Sequence, residues 1–405
     1  MSHQPHPRIL RSLLYTLLIL CIITFCYKYQ FTFPASPNLP IDEHRSTPIY
    51  EHISPYRQHA NRTQEEVLEK KLIKIEESII SALQELEKGT RARKVIWQIT
   101  SELEAPSWEE WTQRWAAINP EWEIKQYASS SPGPDILPYF RSIPLIAETL
   151  SAHPELEIDL FRWLLLWYHG GFYLEPDIWP RVAIGECFDL DIIEHPSLGL
   201  PRSYPNSTGR YVEQRERSSP ISLVLGIDID EPYMASHVRE KWGWSRTFGF
   251  ATYAMWAPGR FDPLLRKAIV RCISHSSTGL FGEKIDAKES GEVCGGAMLT
   301  DIVLEMLSEN LKDVHRVRDM DAGLERRVTW KKFRSLGNPY WFSAKDFKDG
   351  RDVRRDLRGL GVLPINVWGS GQRHSGSERF DHEDACINHV YGRRPSVSLW
   401  QKLFG

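Results

Sequence analysis

Two carboxylates two positions apart in an extended stretch are the strongest chemical signal in this chain. In Phe172-Tyr173-Leu174-Glu175-Pro176-Asp177, side chains at i and i+2 of a strand leave on the same side. Glu175 and Asp177 therefore aim their oxygens at one point. Converging oxygen donors suit a hard divalent cation such as Mn2+ or Mg2+. Pro176 fixes φ and removes an N–H, which stiffens the segment. Taken alone, such a pair also describes a solvated acidic loop.

Upstream, Asp159 and Arg162 stand three apart, on one face of a helix. Their neighbours Leu160, Phe161, Trp163, Leu164, Leu165, Leu166 and Trp167 make the segment from Leu156 to Tyr168 apolar all round, which predicts a buried helix. Burying charges costs several kcal/mol unless they are paired. Two readings follow: a structural Asp–Arg pair, or a pair facing a cavity in which Asp accepts from hydroxyls and Arg donates to oxygens of a polar ligand. Gly170-Gly171 ends the helix and opens the strand that carries Glu175.

The elements that must position these groups alternate in type. Lys94 to Ile99 reads as a strand, Ser107-Trp108-Glu109-Glu110 opens a helix, and Trp122 to Tyr127 reads as a second strand. That alternation predicts an α/β sheet domain. The fingerprints of dinucleotide sites, P-loops, serine hydrolases and zinc proteases do not occur. With 50 Lys+Arg against 53 Asp+Glu and a formal charge of −3, the chain has no basic surplus to track a phosphate backbone. Nucleic acid is excluded as an expected partner.

The N-terminal end is of another kind. Arg8 and Arg11 precede an apolar run from Leu13 to Tyr27 broken only by Thr16 and Thr24. No small-residue cleavage site follows closely, so residues 12–29 are expected to be an uncleaved signal anchor rather than a cleaved peptide. The two arginines place residues 1–11 in the cytosol and the rest of the chain in the lumen. Residues 30–62, with Pro34, Pro37, Pro40, Pro48 and Pro55, read as an extended linker. From Thr63, a capping box (Thr63-Gln64-Glu65-Glu66) leads into Leu68, Leu72, Ile75, Ile79, Ala82 and Leu86 at alternating spacings of four and three, ending at Gly89. This 63–89 helix is either a short coiled coil that pairs chains in a stem or an amphipathic helix packed on its own catalytic domain. Residues 90–405 form that domain.

Asn61-Arg62-Thr63 and Asn206-Ser207-Thr208 are sequons that agree with a lumenal location. Cys187, Cys272, Cys294 and Cys386 would share a disulfide-permitting compartment; their wide spacing excludes a zinc cluster and does not reveal a pairing.

Taken together, Asp159-x-x-Arg162, Gly170-Gly171-x-Tyr173 and the acidic-x-Asp177 pair resemble the DXD-motif glycosyltransferases of family 32, particularly the fungal initiating α-1,6-mannosyltransferases of N-glycan outer chains. Further similar stretches are Val95-Ile96-Trp97-Gln98, Asn119-Pro120-Glu121-Trp122, Leu225-Gly226-Ile227-Asp228, Trp256-Ala257-Pro258-Gly259, Gly295 to Asp301 and Phe380 to His389. The family pattern usually has Asp where Glu175 stands. The resemblance implies a GT-A fold, with a mixed sheet flanked by helices, and a retaining transfer of mannose from GDP-mannose with Mn2+ or Mg2+ on the diphosphate. It implies a Golgi type II membrane location and an N-glycan or mannan acceptor. Asp159, Arg162 and Asp177 would be the catalytic set. Gln98, Gly170, Gly171 and Tyr173 would join Asp159 and Arg162 in binding substrate. Trp97 would lie near the base, unless it is an ordinary core tryptophan. His389 would complete the metal ligands Glu175 and Asp177, unless it is a surface or hydrogen-bonded histidine. A UDP-sugar donor, or a non-catalytic subunit of a mannosyltransferase complex, are the alternatives, and association through the stem helix would give a homo- or hetero-oligomer.

Overall fold

The computed structural model describes residues 54–86, 94–100, 105–128, 140–187, 203–205, 211–213, 221–280, 285–319, 327–349, 357–372 and 374–389. The expected cytosolic tail, the Leu13–Tyr27 span, most of the linker, Gly89 and Asn206 lie outside them. Among the described residues no helix is long and apolar enough to cross a membrane.

The strands are β1 (Val95–Thr100), β2 (Glu123–Ala128), β3 (Gly171–Leu174), β4 (Ile178–Pro180), β5 (Ser203–Pro205), β6 (Tyr211–Glu213), β7 (Leu223–Asp230), β8 (Phe248–Ala257), β9 (Tyr340–Phe342), β10 (Leu360–Leu363) and β11 (Ile387–His389). Seven of them form a mixed sheet in the order β2-β1-β3-β8-β7-β10-β9, so the chain has the expected α/β architecture. β1 is parallel to β2 and β3, while β8 is antiparallel to both β3 and β7. β3 and β7 therefore run the same way. β10 is parallel to β7, so the carboxyl ends of β3, β7 and β10 open on one edge of the sheet, the edge where ligands bind in open α/β sheets.

The apolar segment forms the helix Glu157–His169, whose residues from Leu160 to Trp167 are all buried. It packs between the sheet and the helix Pro263–Ser276. The reversal into β3 needs two glycines. Gly170 has φ +67° and Gly171 φ +103°, and a Cβ on Gly171 would sit 2.5 Å from Trp97 Nε1. A side chain there would be both strained and sterically refused.

Two expectations are corrected near the N-terminal side, and one alternative is decided. The linker does not run to residue 62, because Pro55–His59 is helical and Tyr56 enters the core. The following helix, Arg62–Leu86, is capped by Asn61 rather than Thr63: Asn61 Oδ1 accepts from the Gln64 N–H at 3.1 Å. Its seam residues Leu68, Leu72 and Ile75 are 1 %, 0 % and 8 % exposed within the chain's own core. They pack in the chain's own core, against the helix Pro263–Ser276, which is the second of the two readings, an amphipathic helix on its own domain. Asn61 itself is exposed.

Two disulfides join Cys187 to Cys386 and Cys272 to Cys294. The first ties the segment after β4 to the residue just before β11, and β11 pairs antiparallel with β4, His389 opposite Ile178.

Candidate metal and donor site

Glu175 and Asp177 flank the turn between β3 and β4, and β11 brings His389 alongside. The ligand atoms of Glu175, Asp177 and His389 all lie within 4.8 Å of one another. His389 Nε2 is 3.1 Å from Asp177 Oδ2 and 3.6 Å from Glu175 Oε2. Asp177 and Glu175 keep 13 % and 27 % of their side chains exposed while His389 keeps 6 %, so the trio is recessed yet open on the carboxylate side. Two carboxylates and one imidazole are a donor set that fits Mn2+, and Mg2+ with more reliance on oxygen.

The helix pair leads into this cluster. Arg162 Nη2 lies 3.2 Å from Asp159 Oδ1 and donates to Glu175 Oε1 at 3.0 Å. Its guanidinium sits 4.9 Å from the ring centre of Tyr173, stacked on that face. Asp159 Oδ2 accepts from the Ser290 hydroxyl at 2.9 Å. Both readings of the pair therefore hold in part: it is a salt bridge, and the same arginine reaches the metal-type carboxylate. Glu175 has the extra methylene to do two things at once, with one oxygen on Arg162 and the other toward His389.

Electrostatics follow from crowding. Burial raises the Glu175 pKa; Arg162 and His389 oppose the rise, and Asp177 and Asp159 add to it. For His389 burial alone would favour the neutral ring, but the hydrogen bond and charge of Asp177, with Glu175 and Asp228, outweigh it and raise its pKa. The site thus holds more negative charge than Arg162 neutralises.

Several expected contacts are placed elsewhere. Trp97 is 1 % exposed in the core, stacked with His169 and Tyr127, and its indole N–H donates to Gly170 O at 2.7 Å. Of its two readings the structure shows the core tryptophan, which locks the Gly170-Gly171 reversal. Gln98 is wholly buried on β1, accepting from Thr112 and Gln126. Tyr173 lies under Arg162, while Gly170 and Gly171 stand at the other, amino end of β3, against Gly259 and Trp97. Asp301, in a stretch matched by resemblance, is clamped with Glu292 by Arg246.

Tyr253, Gln372 and Asp228 complete the surroundings of His389. The Tyr253 ring lies 4.3 Å from the His389 ring. Gln372 Nε2 donates to the Tyr253 hydroxyl at 2.9 Å and to Asp228 Oδ1 at 3.3 Å. Nothing in local spacing marks a lone Gln in a loop or a Tyr within a buried strand. Only Asp228, at the carboxyl end of an apolar strand, carried a readable signal.

No protein-family profile matches the chain. Over 259 residues it is 26 % identical to the Saccharomyces cerevisiae protein named "Putative glycosyltransferase HOC1", which covers 60 % of this chain and 54 % of that protein. The chain thus spans about half the length of this relative. Among solved structures it is similar to "PaToxG Glycosyltransferase" at 14 % identity, over 60 % of this chain and 80 % of that one, with a TM-score of 0.30, a likeness too low to carry an argument.

Proposed function

We propose that this chain, similar as it is to a yeast protein named as a glycosyltransferase, is a metal-dependent retaining glycosyltransferase of GT-A type. In this reading it moves mannose from GDP-mannose to an N-glycan or related mannan acceptor, in α-1,6 linkage, as a type II protein of the Golgi membrane. The observation that carries the reading is the convergence of Glu175, Asp177 and His389 within 4.8 Å, at the carboxyl edge of a mixed sheet and joined to a buried Arg162.

Glu175, Asp177 and His389 would hold Mn2+ or Mg2+, which when bound supplies Lewis-acid neutralisation of a diphosphate leaving group. The protein's own part is positioning. Arg162, fixed between Asp159, Glu175 and the Tyr173 face, cannot swing, so its donors are preorganised for anionic or hydroxyl oxygens at little cost during reaction. Asp159 is held by Ser290 and Arg162 and so keeps Arg162 in register. An α-mannosyl donor giving an α-mannoside retains configuration, so no inverting base is needed and none is assigned.

The test uses full-length protein with GDP-mannose, UDP-galactose or UDP-N-acetylglucosamine, with and without Mn2+. Thermal shift reads binding, and product formation on an oligomannose acceptor reads transfer. A shift with GDP-mannose that requires Mn2+ is expected. A larger shift with a UDP-sugar reassigns the donor, and the absence of any metal or nucleotide-sugar shift leaves the non-catalytic subunit in its place.

A further inference from the structure

The connection from β7 to β8 carries an aromatic face that the donor site does not use. Trp242 and Trp244 are brought side by side across Gly243, which has φ +69°, with ring centres 4.9 Å apart. Trp242 is 39 % exposed and Tyr233, in the same connection, 43 %. Beneath the indoles lies His374, 5.4 Å from Trp242 and 4.7 Å from Trp244.

A chain of contacts makes these one surface. His374 Nδ1 meets the Ser375 hydroxyl at 2.9 Å, and that hydroxyl receives the Asp230 N–H at 2.8 Å. Arg334 Nε lies 3.9 Å from Asp230 Oδ1, and Arg334 stacks on Tyr233 at 4.7 Å while donating to its hydroxyl at 2.9 Å. Asp230 Oδ1 and Arg334 Nε are both buried and face each other, so Asp230 fixes the guanidinium from behind. The face therefore offers exposed aromatic planes together with the part-exposed Arg334 guanidinium and the Tyr233 hydroxyl. It is also continuous with the donor site: His374 stands two residues from Gln372, which holds Asp228 and Tyr253 against His389, and Asp230 ends the strand that carries Asp228.

A pyranose ring needs that combination. Its C–H face packs on an indole, whose large rigid surface costs few rotamers to hold, and its hydroxyls need fixed acceptors and donors. We infer that Tyr233, Trp242, Trp244 and Arg334, the last positioned by Asp230, form the acceptor-glycan subsite, which receives a neutral hexose oligosaccharide and presents its end toward the Glu175, Asp177 and His389 cluster. The assignment rests on the transferase reading above.

The test titrates α-1,6-linked mannotriose into full-length protein by calorimetry, with cellotriose as control, and in parallel reads the thermal shift with Mn2+ and GDP-mannose. Mannotriose should bind. Trp242→Ala should weaken it by about tenfold, the loss of one aromatic stacking contact, and Trp242→Phe should restore most of it. Neither should move the Mn2+ and GDP-mannose shift. Should Trp242→Ala fail to fold, Arg334→Gln, at a side chain 32 % exposed, should weaken mannotriose several-fold. Wild-type protein that shifts with Mn2+ and GDP-mannose but binds no mannotriose, or binds it equally in the Trp242→Ala and Arg334→Gln variants, overturns the subsite and leaves the transferase reading standing. Absence of the donor shift in wild type overturns the acceptor assignment together with the reading beneath it.

Discussion

Two buried arginines, Arg266 and Arg162, meet carboxylates in different ways. Arg266 is 0 % exposed and its Nη1 donates to Glu76 Oε1 at 2.5 Å, an oxygen that also accepts from Trp167 Nε1 at 2.9 Å. Burial raises the Glu76 pKa and Arg266 restrains it. Arg266 Nε also lies 3.8 Å from Glu69 Oε1, so two glutamates of the helix Arg62–Leu86 hold one fully buried guanidinium, sealed by an indole, and pin that helix to the domain. Arg162 stands instead beside Asp159 and Glu175, with Asp177 next in line. Two carboxylates share that guanidinium, and Glu175 and Asp177 also face His389 on a side that leaves 27 % and 13 % of their side chains exposed. A sealed buried cluster fixes structure, whereas carboxylates gathered with an imidazole in a recess that stays part-open suit a cation.

The largest effect should separate the two. Glu76→Ala leaves Arg266 buried without its main partner and should cost roughly 3–5 kcal/mol of stability, read as a lower denaturant midpoint. An unchanged midpoint would mean that the helix is not held by this pair. Asp177→Asn should do the reverse, lowering transfer by about 3 kcal/mol of transition-state stabilisation, on the order of 100-fold in kcat, with the ligand-free melting temperature barely moved. Full Mn2+-dependent turnover in that variant would sink the metal assignment.

Asp159→Asn should fall between them. It keeps the Ser290 hydrogen bond but discharges one of the two carboxylates that hold Arg162. A stability loss of about 1–2 kcal/mol is expected, together with weaker binding of the nucleotide sugar. Loss of stability with donor affinity intact would make Asp159 structural only.

The smallest effect contrasts histidines. Burial depresses His275 to about 4, with Arg271 and Arg57 adding to it, and burial depresses His374 to about 4. Between that value and 6.5 the unfolded chain binds more protons, so their contribution is present above pH 6.5 and is lost as pH falls. At pH 5.5 each should cost on the order of 1 kcal/mol. His389 has the opposite sign: its raised pKa contributes stability at low pH that is lost as pH rises through the folded value. Melting temperatures from pH 7.5 to 5 should fall, and fall less steeply in His275→Gln; equal slopes would show that His275 is not buried neutral.

What could be read in advance followed from periodicity. The period of two across Glu175 and Asp177 and the i, i+3 spacing of Asp159 and Arg162 each set a direction, and the fold kept those directions. His389 lies 212 residues from Asp177 and was reachable only through resemblance, because no local rule links positions so far apart. The seam of the helix Arg62–Leu86 shows the opposite limit. An apolar stripe says that something covers it, without saying whether that is another chain. The sign that it was covered from within was present in Glu76, four residues after Leu72 and thus on the apolar face, where a lone carboxylate needs a buried partner. Trp97 was ambiguous for a simpler reason: an indole on an inner strand looks the same whether it faces core or ligand until its N–H partner is known.

The pairing of β11 with β4, fastened by Cys187 and Cys386, sets an order of events during biosynthesis. Glu175 and Asp177 leave the ribosome long before His389, and the thiol that anchors β11 emerges only three residues ahead of it. Nascent chain therefore displays two of the three ligands for most of its synthesis, and the centre is completed by one of the last described segments to be translated. An arrest before residue 386 would yield a folded-looking sheet with a carboxylate pair and nothing to close it.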